Sequence, residues 1–259
     1  MSDTPLLVER DGALGILTLN RPEKLNALNQ DLRRRIKDAL DALAHDPDVR
    51  VAIIHGQGDR AFVAGADVSE FASRTPVEQR EASRMPRVYD AAAAFPKPLI
   101  AAIHGFCVGG GCELALACDV RVADRTARFS QAEIRLGLIP GGGGTQRLAR
   151  LVGAGQALRI ALTGDFIEAE EAFRIGLVEF LVDEGQHVEQ ARELAERMAR
   201  WSPLAIRLAK QSVRAAFETP LGAGLELERE LFLAAFASDD GREGVQAFVE
   251  KRTPEFKGR

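Results

Sequence analysis

The chain has 259 residues, of which 46% are hydrophobic and 28% charged, and its formal net charge is −4. This composition is ordinary for a globular protein and excludes the disordered and fibrous classes. At this length folding removes roughly three quarters of the unfolded surface from water, so we expect one large domain or one domain with a helical appendage. The slightly negative charge argues against a protein whose whole surface attracts nucleic acid.

The N-terminus predicts a cytoplasmic protein. Asp3 and Pro5 stand where a signal peptide would have basic residues followed by an apolar run, so no targeting segment is expected. The most apolar region, residues 98–116, is interrupted by His104, Glu113 and several glycines. A membrane-spanning helix would not contain these residues, so none is predicted.

The three cysteines are clustered at Cys107, Cys112 and Cys118. Their odd number argues against a disulfide framework and is consistent with reduced, buried thiols. A metal site that also used His104 is the alternative, but the region has no CxxC or HxxxH pair. We therefore predict no metal.

The chain opens with strands. Two apolar runs, residues 6–10 and 13–19, meet at Asp11-Gly12, a dipeptide that tolerates the positive φ of a tight hairpin. An amphipathic helix follows, with Asn29 as its N-cap and its end at Asp46-Pro47. Its apolar residues recur at helical spacing at Leu32, Ile36, Leu40 and Leu43.

Strands and helices then alternate as far as about residue 185. Buried strands are predicted at residues 49–54 and 99–103, a helix at 168–175 closed by Gly176, and a strand at 177–182. Only helical patterns come after these, at residues 187–200, after a cap at Ser202-Pro203, and at 221–237 and 239–251. This pattern predicts an α/β domain over residues 1–185 and a helical C-terminal lobe over 186–259.

Three separate stretches place glycines or small residues at the junction of a strand with a loop or helix. There, backbone amides can approach a ligand closely. The stretches are Ala64-Gly65-Ala66-Asp67, then Gly109-Gly110-Gly111-Cys112-Glu113, and finally residues 130–146 with Glu133 and the glycines at 141–144.

Taken singly, each stretch has a simpler interpretation. The glycines at 141–144 could form a phosphate loop, but no Gly-Lys-Ser/Thr follows, and a turn into a helix near Thr145 is the alternative. Gly109 to Gly111 precede a helix-forming run, so their amides are expected to be unpaired at a helix N-terminus and to favour negative charge. Close packing of that helix against a strand would also explain these glycines.

Several ordered motifs resemble the crotonase, or enoyl-CoA hydratase/isomerase, family along almost the whole chain. Residues 20–28, Asn-Arg-Pro-Glu-Lys-Leu-Asn-Ala-Leu, are similar to its early signature, residues 62–67 to its first oxyanion loop, and residues 103–119 to its second. Residues 129–133 and 137–148 are similar to its second-glutamate region, and residues 247–252 to its C-terminal helix.

The resemblance implies the crotonase fold, a spiral of ββα turns with a helical C-terminal lobe, assembled as a homotrimer or as a dimer of trimers. It implies an acyl-CoA thioester as substrate and no separate cofactor, because coenzyme A is part of the substrate. The amides of Ala66 and Gly110 would bind the thioester oxygen. Glu113 and Glu133 would be the catalytic pair, and Gly141 would leave space beside the catalytic water.

Hydration of a 2-enoyl thioester requires a base for water and an acid for C2. Glu113 lies in the first turn of its predicted helix, where the helix dipole favours a carboxylate, so we assign it as the base. Glu133 has a like charge nearby and the apolar neighbours Ile134 and Leu136, so we expect it to hold its proton and act as the acid. The roles reverse in dehydration.

The resemblance also implies a groove for coenzyme A and a wall for the acyl chain. The implied CoA-binding residues are Lys24, Leu25, Ala27, Ala64, Asp67, Val68, Phe248 and Lys251, the last two coming from a neighbouring subunit in many relatives. Ser69 stands where many relatives have a lysine, which puts the phosphate contacts in doubt. The acyl-chain wall is expected around residues 85–94 and 232–236.

The favoured function is an enoyl-CoA hydratase acting as in fatty-acid β-oxidation. A Δ3,Δ2-enoyl-CoA isomerase is the nearest alternative, since it shares the oxyanion hole but can shuttle a proton with one carboxylate. A non-catalytic CoA-binding or RNA-binding relative would be expected to lose a glutamate or to gain a basic stretch. A dehalogenase or decarboxylase would replace one of the glutamates.

Overall fold

The computed structural model describes residues 4–72, 74–84 and 86–259. The chain begins with the predicted hairpin of β1 (Leu6–Asp11) and β2 (Leu14–Leu19), which pair antiparallel. Gly12 has φ +56° in the turn between them. That left-handed conformation is one that glycine adopts without strain, so the hairpin prediction is confirmed.

Helix α1 (Gln30–His45) agrees with its prediction at both ends. The Asn29 side chain accepts a hydrogen bond from the Leu32 N–H, and the helix stops at Asp46. This cap satisfies one of the amides that the first turn leaves without a partner. The four predicted apolar positions are the buried residues of the helix, namely Leu32, Ile36, Leu40 and Leu43.

The remaining strands divide between two sheets. The large sheet has the order β1, β2, β3 (Val51–Gly56), β5 (Leu99–Ile103), β7 (Val120–Asp124), β10 (Phe180–Val182), and is parallel from β2 onwards. The small sheet has the order β4 (Ala61–Val63), β6 (Phe106–Val108), β8 (Arg128–Ser130), β9 (Ile167–Glu168). Its first three strands are parallel.

Successive turns of the chain contribute one strand to each sheet. β3 is followed by β4, β5 by β6, and β7 by β8, and after β6 and β8 come helices α5 (Gly110–Ala117) and α6 (Gly144–Thr163). Helix α6 is interrupted at Gly153, whose φ is +79°. This arrangement is the predicted ββα spiral, and the predicted α/β crotonase fold is confirmed.

Short helices complete the body. They are α2 (Ser69–Ala72), α3 (Pro76–Ala82) and α4 (Val88–Ala94) before β5, and α7 (Ala169–Arg174) between β9 and β10. Two 3-10 helices, Pro22–Lys24 and Ala132–Leu136, lie next to predicted site residues. The predicted strand at 177 begins only at Phe180, because the amides of Leu177 and Val178 donate to the Ala172 carbonyl oxygen.

Four helices end the chain, as predicted: α8 (His187–Ala199), α9 (Pro203–Ala215), α10 (Leu221–Ala237) and α11 (Asp239–Glu250). Helix α8 buries Ala191, Leu194 and Ala195 against the large sheet, on a core that includes Ile16 and Ile53. Its packing therefore attaches α8 to the α/β body. The division of the chain at residue 185 stays a prediction.

A partly buried ion cluster fastens α9 to the body. Lys210 Nζ lies 2.6 Å from Asp119 Oδ2, and Arg214 Nη2 lies 2.7 Å from Asp119 Oδ1. Asp119 Oδ2 also accepts a hydrogen bond from the Leu99 N–H at the start of β5. The helical lobe is thus tied to the sheet through one carboxylate.

Among the described residues, no helix combines the length and the hydrophobicity that crossing a membrane requires.

Candidate active site

The small sheet brings the three small-residue stretches together. β4, β6 and β8 are neighbours and run parallel, so their carboxyl ends lie at one edge of the sheet. The chain leaving β4 reaches Ala66, the chain leaving β6 reaches Gly110, and the chain leaving β8 reaches Glu133. Residues far apart in sequence therefore meet because each follows a neighbouring strand.

The Ala66 and Gly110 amides lie side by side. A Cβ added to Gly110 would lie 3.4 Å from the Ala66 nitrogen. Gly65 O accepts from the Leu28 N–H, and Leu28 O accepts from the Asp67 N–H, which fixes the peptide on each side of Ala66. In the described part of the chain, neither the Ala66 nor the Gly110 N–H has a backbone acceptor outside helices and strands. The two donors are available to one ligand oxygen.

Both amides open onto a cavity of about 940 Å³. Seven of the residues predicted for the site line it: Ala64, Ala66, Val68, Gly110, Glu113, Glu133 and Gly141. A cavity of this size is in the range of sites for small molecules and cofactors. The structure therefore brings the predicted oxyanion donors and both glutamates into one chamber.

Glu113 is buried in the first turn of α5, with a relative exposure of 3%. Its Oε1 accepts hydrogen bonds from the Gly142 N–H at 2.6 Å and the Gly144 N–H at 2.8 Å. Burial raises the pKa of Glu113, and the Gly144 and Gly142 amides act in the opposite direction.

The expected support for the Glu113 carboxylate thus comes from a different helix. We expected the N-terminus of α5 to stabilise this carboxylate, whereas the amides that donate to it lie at the N-terminus of α6. The physical principle is the same, since unpaired amides at a helix start attract negative charge. The glycine run at 141–144 is therefore more than a turn, because its backbone holds the carboxylate.

Glu133 lies half-buried in the 3-10 helix after β8. Burial raises its pKa to about 7, and the charge of Glu113 contributes in the same direction. Its Oε2 is buried and has no hydrogen-bond partner among the described residues.

The surroundings of Glu133 differ from the prediction. Ile134 and Leu136 are 38% and 55% exposed, and only Leu136 lines the cavity together with Glu133. The carboxyl group instead lies against the second oxyanion loop, because a Cβ on Gly109 would be 2.8 Å from Glu133 Oε1. Of the two predicted apolar neighbours, Leu136 therefore shares the cavity wall with Glu133 and Ile134 does not, and the predicted rise in pKa is present.

The predicted CoA-binding residues fall into two groups. Ala64 and Val68 line the cavity, and the Ala64 N–H donates to Leu25 O, which places the 24–27 segment beside this wall. Lys24, Leu25, Ala27 and Asp67 lie outside the lining.

Two polar side chains, Asp67 and Asn26, hold this part of the chain in place. Asp67 accepts a hydrogen bond from Ser69 at 2.7 Å and pairs with Arg21 at 3.3 Å. Buried Asn26, which we did not predict, donates to Gln57 O and Ala61 O and so pins the segment.

Phe248 and Lys251 lie outside the lining of this chamber within one chain. Phe248 is 85% exposed on α11, and Lys251 is exposed just after that helix. Neither is among the cavity-lining residues.

Of the two segments predicted to form the acyl-chain wall, only residues 85–94 contribute to the cavity lining. Residues 86–89 line the cavity, Met85 falls outside the described residues, and Phe232 and Phe236 are exposed side chains away from the lining. Arg87 and Tyr89 were not singled out from the sequence. The guanidinium of Arg87 donates to Gly141 O, and Tyr89 lies beside the oxyanion loop.

All three cysteines are free and buried, as predicted. No group of three or more His, Cys, Asp or Glu side chains that could hold a metal ion occurs within residues 4–72, 74–84 and 86–259.

Comparison with known proteins agrees with the geometry. The family model for enoyl-CoA hydratase/isomerase matches residues 9–259. The chain is 42% identical to a crotonyl-CoA hydratase of Syntrophomonas wolfei, over 97% of each chain. It is 46% identical to a 2,3-dehydroadipyl-CoA hydratase of Escherichia coli, over 98% of this chain and 99% of the relative.

Among solved structures, the crystal structure of an enoyl-CoA hydratase from Bacillus anthracis superimposes with a TM-score of 0.95. The two chains are 39% identical, and the match covers 99% of this chain and 100% of the other. Sequence and structure agree over the full length of the chain, which therefore belongs to the enoyl-CoA hydratase/isomerase family.

Proposed function

We propose that this protein is an enoyl-CoA hydratase, which reversibly adds water across the 2,3 double bond of a 2-enoyl-CoA to give a 3-hydroxyacyl-CoA, as in fatty-acid β-oxidation. The observation that carries the proposal is the meeting of two carboxyl groups and two available amides in one cavity. The family includes both hydratases and isomerases, so the assignment as a hydratase depends on the pair of glutamates.

The amides of Ala66 and Gly110 would stabilise the charge that develops on the thioester oxygen. When water attacks C3, electrons move through the conjugated system and an enolate forms at that oxygen. Two fixed donors stabilise it without having to reorganise, and losing one comparable donor costs about 3 to 4 kcal/mol of barrier. Because both are backbone groups, their arrangement depends on the loops after β4 and β6.

The two glutamates would divide the proton transfers. Glu113, held by two amides, is the better candidate for the ionised base that takes a proton from water. Glu133, with a pKa of about 7, is the better candidate for the acid that protonates C2. Since neighbouring carboxyl groups titrate as a coupled pair, the assignment describes the dominant protonation state.

An isomerase would need only one of these carboxyl groups to move a proton between C4 and C2. The second glutamate lining the same cavity favours hydration, because hydration requires a base for water as well as a proton for C2. The named activities of the two compared relatives also favour hydration.

The test is product identification with the wild-type protein. With crotonyl-CoA, a hydratase removes the conjugated enoyl absorbance and forms 3-hydroxybutyryl-CoA. With 3-enoyl-CoA, an isomerase forms the conjugated 2-enoyl product without adding water. Isomerisation in the absence of hydration would overturn the proposal.

The length and end group of the acyl chain are a separate question. The relatives named for crotonyl-CoA and for 2,3-dehydroadipyl-CoA are similarly identical to this chain, although one substrate ends in a methyl group and the other in a carboxylate. We propose a short-chain 2-enoyl-CoA as the substrate class. Comparing kcat/KM for crotonyl-CoA and 2,3-dehydroadipyl-CoA measures the preference directly.

We also propose that the protein works as a homotrimer or a dimer of trimers, without a separate cofactor. The C-terminal helices expose large apolar side chains, among them Leu225, Phe232 and Phe236 on α10. Several exposed large apolar side chains on one helix, as on α10, are typical of a subunit interface. Such an assembly would allow Phe248 and Lys251 of one subunit to reach the coenzyme A bound by another.

A further inference from the structure

Tyr89 is the only tyrosine of the chain and lies in the first turn of α4, which packs against α1 and α5. The side chain is 8% exposed and lines the cavity that contains the two glutamates. Its hydroxyl group has no hydrogen-bond partner among the described residues. A buried tyrosine usually finds a partner for its hydroxyl, so an unpaired one facing a cavity is available to a ligand.

The hydroxyl group lies at the oxyanion hole. The position that a Cβ would take on Gly110 is 2.8 Å from Tyr89 Oη and 3.4 Å from the Ala66 nitrogen. One point beside Gly110 is therefore close to both the hydroxyl oxygen and an amide of the hole. An oxygen bound between Ala66 and Gly110 lies within reach of a third donor.

The ring is held from the opposite side. A Cβ on Gly142 would lie 2.4 Å from Tyr89 Cε2 and 2.5 Å from Glu113 Oε2. The ring edge thus packs on the same glycine that donates to the Glu113 carboxylate. Because Gly142 fixes both groups, the hydroxyl position is set by the backbone that also positions Glu113.

Burial and the two neighbouring glutamates keep the Tyr89 hydroxyl group protonated. Burial raises the pKa of the phenol, and Glu113 and Glu133 contribute in the same direction. A phenol that holds its proton throughout the neutral range can donate a hydrogen bond but does not act as a base there.

We propose that the Tyr89 hydroxyl group is a third hydrogen-bond donor to the thioester oxygen and is therefore a catalytic residue of this protein. The inference rests on the proposed function, since it concerns the same site and the same enolate. The hydroxyl keeps its proton throughout, so water still adds to C3 and a proton to C2 with the two glutamates as the only proton carriers. The simpler alternative is that the ring merely fills the cavity wall.

Two substitutions separate these interpretations. Tyr89→Phe removes the hydroxyl group and keeps the ring against Gly142, whereas Tyr89→Leu removes the ring as well. If the hydroxyl group stabilises the enolate, Tyr89→Phe lowers kcat for crotonyl-CoA about 100-fold, the loss that one oxyanion donor typically brings. KM changes little, because the interaction is stronger in the transition state than in the ground state.

Comparing the binding of a charged and an uncharged ligand adds a measurement that would not change if the Tyr89 ring only filled the cavity wall. Acetoacetyl-CoA can bind as an enolate, which shares its negative charge between the 3-oxo and thioester oxygens and absorbs strongly, whereas the acyl group of butyryl-CoA is uncharged. We expect Tyr89→Phe to weaken enolate binding at least tenfold while butyryl-CoA binding stays within about twofold of the wild type. Thermal melting of both variants checks that they fold.

The outcomes are distinct. Wild-type kcat and wild-type enolate binding in Tyr89→Phe, with a defect only in Tyr89→Leu, would overturn the inference and leave the ring as a packing residue. An equal loss of enolate and butyryl-CoA binding in Tyr89→Phe would also overturn it. If the wild type itself fails to hydrate crotonyl-CoA, the proposed function fails, and selective enolate binding still tests the Tyr89 hydroxyl group.

Discussion

At the residue scale, the two glutamates differ in how the fold treats their charge. Glu113 is the more buried of the two, yet two amides stabilise its ionised form by donating hydrogen bonds to Oε1. Glu133 has one buried oxygen without a partner among the described residues, and its pKa is about 7. The fold therefore favours a carboxylate at one position and a carboxylic acid at the other, which is the state that hydration needs.

This difference predicts a bell-shaped pH profile. The general acid is active when protonated, so kcat/KM for hydration should fall as the pH rises above about 7, where Glu133 loses its proton. The base must be ionised, and since burial raises the pKa of Glu113, the acidic limb should lie above the usual range of a glutamate. A crotonyl-CoA hydration profile between pH 4 and 9 measures both limbs. A rate that keeps rising from pH 7 to 9 would contradict the assignment of Glu133.

The same pKa shift predicts a gain in stability for Glu133→Gln. Folding raises the pKa of this carboxyl group from 4.5 to about 7. The group therefore destabilises the folded state increasingly as the pH rises from 4.5 to about 7, and to its full extent above that pH. Removing the charge should raise Tm by about 2 to 4 °C at pH 8, and the gain should disappear below pH 4.5. Thermal melts at the two pH values are compared with those of Glu184→Gln, a change at an exposed loop residue that should alter neither.

The candidate site residues that line the cavity were predictable where they belong to motifs. Ala66, Gly110, Glu113 and Glu133 lie in glycine-rich or glutamate-containing stretches whose order along the chain is distinctive. The partners that set their properties lie elsewhere in the sequence. The amides that hold Glu113 belong to another helix, and Tyr89 gave no signal beyond being the only tyrosine.

At the element scale, Asp119 attaches α9 to the large sheet. Its carboxylate accepts from Lys210 and Arg214, whose partner oxygens lie 2.6 and 2.7 Å away, and from the Leu99 N–H. Neutralising it leaves two cations in a partly buried setting. Breaking a fully buried pair typically costs about 3 kcal/mol or more, whereas a surface pair contributes about 1 kcal/mol or less. We expect Asp119→Asn to lower the free energy of unfolding by about 2 kcal/mol in urea denaturation, a value between these limits.

The control for this prediction is Asp165→Asn. Asp165 lies 3.7 Å from Arg135, and its side chain is 68% exposed, so removing its charge should change the free energy of unfolding by less than about 0.5 kcal/mol. Equal effects of the two substitutions would show that the Asp119 cluster contributes no more than a surface ion pair.

The long elements were predictable because their periodicity extends over several turns. Helix α1 follows its apolar spacing and its cap residue, and α10 has the predicted bounds Leu221–Ala237. The strands that build the site were not individually predicted. β4, β6 and β8 have three residues each, which is too short for an alternating pattern to be recognised.

At the scale of the whole molecule, the division of the strands between two sheets could not be derived from periodicity. The family resemblance implied only the spiral of ββα turns, and no local pattern says which of two sheets a short strand joins. The packing of α8 on the sheet was also not visible in its helical pattern. Such long-range arrangements depend on which apolar faces meet, which a single sequence does not specify.

The exposed apolar residues of the C-terminal helices lead to a prediction about assembly. Phe232 is 63% exposed on α10, and its ring lies 6.1 Å from that of Phe236. If this surface is a subunit interface, Phe232→Asp buries a charge there and should shift a trimer or hexamer toward smaller species in sedimentation velocity. Val77→Asp, at a 72% exposed position on α3, is the control. A wild-type monomer would contradict the proposed assembly.

The most direct test of the central claim is the hydration rate of crotonyl-CoA by the wild type, Glu113→Gln and Glu133→Gln. General acid or base catalysis contributes about 10² to 10⁴ in rate, so each variant should lose at least about 100-fold in kcat. The wild type should form 3-hydroxybutyryl-CoA, and both variants should still bind butyryl-CoA, because their oxyanion donors are intact. Hydration at the wild-type rate by both variants would contradict the account of the two glutamates as the acid/base pair.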